Sequence, residues 1–128
     1  MNKRTILITA TLLFLLLGTG MTLRLLMTID IADPLGWAFF GGWTLSPYIA
    51  AAGVCYDLRN MPKQIATQFW ASAAATCVGL YLMVNALYLH PDPQGGLAIL
   101  IMPFFQEVVY LGVFGLANFV AARTRDKE

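Results

Sequence analysis

Four long stretches of this chain are almost free of charge, and their spacing constrains its fold more than any other feature. One charge, Arg24, lies between Thr5 and Ile29; none lies between Leu35 and Tyr56 or between Ile65 and Leu89; Glu107 is the single charge between Leu97 and Ala122. Each stretch exceeds the ~20 residues that a helix needs to cross a hydrocarbon core about 30 Å thick. Lipid offers no partner for backbone N–H and C=O groups, so such segments must be helical. The sequence therefore predicts an all-α, polytopic membrane protein. Residues 1–128 form a single membrane domain, a four-transmembrane-helix bundle with spans near 5–29, 35–56, 65–89 and 97–122. Composition agrees: 59% of residues are hydrophobic and 12% charged, against about 25% charged in an ordinary soluble domain. The net charge of +1 gives no footing for nucleic acid. The expected partner is the lipid bilayer.

The basic residues set an orientation. Lys3 and Arg4 precede the first span, Arg59 and Lys63 lie in the second connection, and Arg123, Arg125 and Lys127 follow the fourth. With both termini in the cytoplasm these seven share one side, and only Arg24 lies toward the other. The positive-inside rule favours that arrangement, and the imbalance argues against dual topology. A rival reading concerns the N-terminus, where Met1-Asn2-Lys3-Arg4, the apolar run Thr5–Leu17 and Gly18-Thr19-Gly20 follow the plan of a signal peptide. The run continues from Met21 to Ile29, however, and an uncleaved first helix is expected.

Turn chemistry marks the connections. Asp33-Pro34 precedes the second span and Asp92-Pro93 the fourth. An Asp can accept from first-turn N–H groups, and a proline at the first helical position has no donor to lose. Short connections leave no room for an extramembrane domain, and beyond the repeated Asp-Pro nothing suggests a duplicated unit. Packing in lipid relies on small residues. These point to Ala71, Ala75 and Gly79 on the third span and to Gly42, Ser46, Ala50 and Gly53 on the second. Trp37, Trp43 and Trp70 suit interfacial anchoring.

Prolines inside two spans predict kinks. Pro47 frees the carbonyl of Trp43 and Pro103 that of Ile99. Thr44, Ser46 and Tyr48 surround the first kink, and Gln106 and Glu107 follow the second, so the kinks form either a small polar cavity or static bends satisfied within the bundle. Glu107 lies ~15 Å from the start of its span, near the bilayer midplane. A bare carboxylate there is costly, so it must be protonated, paired or hydrated. Two readings stand side by side. Arg24, ~8 Å below the outer boundary, reaches inward to Glu107 and fixes helix register, or a neutral Glu107 bonds a freed carbonyl. Alternatively, Arg24, Gln106, Glu107 and Asn85, with Tyr110, form a proton- or ligand-responsive polar site.

Other candidates are weaker. Cys55 and Cys77 differ in depth by ~15 Å, too far for a disulfide, and are expected to be buried thiols. His90, Asp92, Asp30 and Asp33 are read as turn and capping residues rather than a metal site. Asn118 is expected to bond a neighbouring helix. No paired carboxylates, Ser–His arrangement or phosphate-binding glycine loop is present, so no enzyme, metal or cofactor is expected.

Ser46-Pro47-Tyr48, the turn Asp92-Pro93-Gln94-Gly95-Gly96-Leu97 and Pro103-Phe104-Phe105-Gln106 together resemble a group of small uncharacterised bacterial inner-membrane proteins. The resemblance implies a bacterial inner (plasma) membrane location and four spans. It brings no activity and makes the glutamine matching Gln106 the characteristic polar residue, with Glu107 particular to this chain. The expected function is a non-enzymatic accessory, regulatory or immunity-type partner of another membrane protein. The alternative is a minimal transporter or channel, built as a homo-oligomer, with Glu107 as the coupling acid. Small multidrug transporters also have four helices and an intramembrane glutamate, but in the first helix, where this chain has Arg24.

Overall fold

The computed structural model describes residues 2–29, 33–89 and 95–126. Within them the chain forms α1 (Lys3–Leu26), α2 (Pro34–Asp57), α3 (Pro62–Val84), a π-helical turn (Asn85–Leu89) that extends α3, and α4 (Gly95–Arg125). The starts of α1, α2 and α3 have local causes. The Asn2 side chain accepts from the Arg4 N–H at 3.4 Å, and the Asp33 side chain accepts from the Leu35 N–H at 3.1 Å. Pro34 and Pro62 occupy first-turn positions where no N–H is needed. At the end of α2 the Arg59 guanidinium donates to the Tyr56 carbonyl at 2.7 Å and lies over the Tyr56 ring, 3.9 Å from its centroid. The expected turn residues Asp30, His90, Asp92 and Pro93 lie outside the described residues.

Among the described residues, three segments are long and apolar enough to cross a membrane: Lys3–Leu26, Lys63–Leu89 and Ile99–Arg125. Helix α2 is equally long, with 24 residues, but glycine, tryptophan, Thr44, Ser46, Pro47 and Tyr48 lower its apolarity. Helix α3 is central: α1 and α4 pack along it, and α2 closes the bundle against α1 and α4. One apolar cluster joins Leu15, Tyr48, Ala51, Ala71, Ala75 and Tyr110. A second, at the end remote from the chain termini, joins Leu26, Met83, Ile99 and Met102. Outside these clusters the usual distribution is inverted. Leu12, Leu13, Leu16, Leu17, Phe104, Phe105 and Leu111 are exposed, whereas Thr11, Thr22, Thr44, Gln68, Ser72, Thr76 and Gln106 are buried. An apolar exterior around a polar seam is stable in hydrocarbon and would aggregate in water.

The small-residue faces divide. On α3, Ala71, Ala75 and Gly79 are buried, as the spacing predicts. On α2 the expectation is corrected: Gly42, Ala50 and Gly53 face outward and Ser46 is half-buried. The inward face carries Thr44, Pro47, Tyr48, Ala51 and Cys55 instead, because Tyr48 finds hydrogen-bond partners only inside the bundle. Gly18, read in the sequence as part of a leader-like pattern, is a packing residue. A Cβ there would stand 2.6 Å from Thr76 Cγ2 and 2.7 Å from Tyr48 Cε1.

Candidate functional site

The carbonyl that Pro47 leaves free is satisfied locally: Ser46 Oγ donates to the Trp43 carbonyl at 2.7 Å. Thr44 Oγ1 turns back on the Phe40 carbonyl at 2.7 Å. The Trp43 indole N–H donates to the Leu100 carbonyl of α4 at 2.7 Å, one turn before Pro103. The Trp43 bond ties α2 to α4, and Tyr48 is buried in the centre.

There a polar layer crosses all four helices. Gln106 Nε2 donates to the Ala75 carbonyl at 3.1 Å and to the Tyr48 hydroxyl at 3.2 Å. With its oxygen accepting from Gln106, Tyr48 is free to donate to Thr22 Oγ1, 3.0 Å away. Gly79 makes the room: a Cβ at that position would fall on the Gln106 carboxamide. The second layer, nearer the termini, is built on Gln68. Its Nε2 donates to the Ala51 carbonyl at 2.8 Å and to Ser72 Oγ at 3.3 Å, and its Oε1 accepts from the Tyr110 hydroxyl. Tyr110 is held in turn by a parallel stack on Phe114, with centroids 6.0 Å apart.

Between the layers lies a cavity of about 140 Å³. Leu15, Pro47, Ala51 and Ala75 form apolar walls, and Tyr48, Ser72, Thr76, Gln106 and Tyr110 supply polar atoms. Ala50 and Val54 of α2 and Glu107 and Leu111 of α4 complete the lining. Because Ala50 and Leu111 are exposed, the cavity opens sideways between α2 and α4. Gln106 is fully buried, yet its Oε1 has no hydrogen-bond partner among the described residues. An orphan acceptor of this kind costs about 1–3 kcal/mol unless something donates to it.

Of the residues singled out in the sequence, Gln106 and Glu107 line this cavity and Pro47 shapes it. Pro103 is buried one turn away from Gln106. Glu107 is half-buried at the mouth; Arg24 is exposed in the last turn of α1, and no ion pair joins the two among the described residues. Asn85 stands in the π-helical turn, away from the cavity lining. Cys55 is a buried free thiol as expected, but Cys77 is exposed on the outer face of α3, a correction. The described residues hold no cluster of three or more metal-ligating side chains. Gln68 and Tyr48 are the residues that sequence reasoning underrated. The signal for Gln68 was its place one helical turn before Ser72 and two before Ala75, on the face that small residues already marked.

The fold and site define a helical membrane protein with a polar seam. Comparison with protein-family models, curated proteins and solved structures finds no match.

Proposed function

We propose that the protein is a non-enzymatic accessory or regulatory subunit of a bacterial inner membrane, crossing it four times with both termini in the cytoplasm. It meets another membrane protein along the outer face of α2. The observation that carries this reading is that α2 turns Gly42, Ala50 and Gly53 away from its own bundle. A Cβ at Gly42 or Gly53 would meet no atom within 4 Å. Lipid gains little from such a surface, whereas a second helix gains close backbone approach. The seam inside the bundle is built largely of hydrogen bonds between helices, which suits a scaffold.

Affinity purification in a mild detergent tests the proposal. A stoichiometric second protein is expected to co-purify and to be lost in Gly42→Phe and Gly53→Phe, which point into open space and leave the bundle folded. A pure homo-oligomer with pH-dependent ion flux in liposomes would sink it in favour of a minimal transporter using Glu107.

A further inference from the structure

We infer that the cavity between α2 and α4 is a binding site for a lipid-soluble molecule that presents one hydroxyl donor on a ring-sized apolar head. Size comes first. The cavity holds about 140 Å³, close to the ~150 Å³ of an apolar protein cavity that accepts benzene. Route comes second. With exposed Ala50 and Leu111 at its rim, the mouth faces hydrocarbon, so a ligand arrives from the bilayer and leaves its tail there. Chemistry comes third. Gln106 Nε2 must face the Ala75 carbonyl, which can only accept, and that fixes Oε1 as the orphan. One buried acceptor calls for one donor. A hydroxyl supplies it and can accept in return from Ser72 or Thr76, whose side chains share the lining. An ammonium brings three donors and a charge, for which Glu107 at the mouth is the one acidic side chain in the lining. Water meets the same polar atoms but leaves the mainly apolar walls without a partner.

The site shares Ala50 with the docking face, but its test is made on the protein alone and does not require a partner. Calorimetric titration into the full-length protein in lipid nanodiscs, against empty nanodiscs, compares 4-hexylphenol with hexylbenzene and 4-hexylbenzylamine. The phenol is expected to bind about 10-fold more tightly than hexylbenzene, the equivalent of about 1.4 kcal/mol. Gln106→Leu should bring the two to within about twofold. Ala50→Phe, at the exposed rim where the fold does not depend on it, should abolish binding of the phenol. Equal affinity for phenol and hexylbenzene, preference for the amine, or undiminished phenol binding by Ala50→Phe would each overturn the assignment.

Discussion

A carboxamide has two donors and an acceptor oxygen to satisfy, and Gln106 finds partners only on its nitrogen. Its position depends on Gly79 as well as on these polar neighbours, since only a residue without Cβ leaves the slot open. Gly79→Ala should therefore drive the carboxamide off Ala75 and Tyr48 and destabilise the bundle by about 1–2 kcal/mol. In a Gln106→Ala background the same change has nothing to collide with. Unfolding titrations of both single variants and the double variant should show a coupling of about 1 kcal/mol; additive costs would mean that Gly79 is not the seat of Gln106. The Gln68 layer makes a parallel case. Gln68→Leu leaves the Tyr110 hydroxyl and the Ala51 carbonyl without a shared partner. It should cost about 1–2 kcal/mol, whereas Asn118→Leu, whose side chain bonds no neighbouring helix among the described residues, should change stability little. A reversed order in the same titration would overturn the assignment of Gln68 as a structural hub.

At the scale of the element, α1 shows how inward faces are chosen in lipid. Its buried residues Thr11, Leu15, Gly18, Thr22 and Leu26 recur every three or four positions, while equally apolar leucines lie on the other side. Apolarity cannot tell core from lipid, because both are hydrocarbon; polar and small residues carry the information. Helix number and approximate extent were legible for this reason, since an uncharged run is visible without knowing which face is inside. The inward face of α2 was not. Gly42, Ser46, Ala50 and Gly53 have interface spacing, but Tyr48 outweighs them, because a phenol hydroxyl in hydrocarbon must find partners and those partners, Thr22 and Gln106, lie on distant segments. The cavity was foreseen only as one outcome of kinks near polar residues, and its sideways mouth depends on interhelical geometry that no single segment encodes. Two glycines of α1 separate the faces experimentally. A methyl at Gly18 would press on the Tyr48 ring, which Thr22 and Gln106 hold in place, so Gly18→Ala should cost about 1–3 kcal/mol. Gly20 faces open space, and Gly20→Ala should be neutral or stabilising by up to about 1 kcal/mol, since alanine favours the helix. Equal effects in thermal or detergent unfolding would place another face of α1 against the bundle.

For the whole molecule, α2 decides the topology. Its mean hydropathy treats every polar side chain as though it met lipid unpaired, but the bundle satisfies them. Ser46 and Thr44 bond carbonyls of their own helix, Trp43 bonds Leu100, and Tyr48 joins the central layer. No charge lies between Pro34 and Tyr56, so the desolvation cost of a full crossing is smaller than composition implies. On the proposed four-span reading the basic residues select direction, with Arg59 between α2 and α3 and Lys63 in the first turn of α3 on the same side as both termini. Single cysteines in a Cys55→Ala, Cys77→Ala background test both points with a membrane-impermeant maleimide applied to intact cells. Thr28→Cys, just beyond α1, and Gln94→Cys, outside the described residues, should be labelled from outside. Asn60→Cys, exposed between α2 and α3, should be labelled only after the membrane is opened. Labelling of positions 28 and 60 from one side would show that α2 lies along or within the membrane without crossing it, and would remove the fourth span. A complete reversal would keep four spans and invert them, against a charge bias of seven basic residues to one.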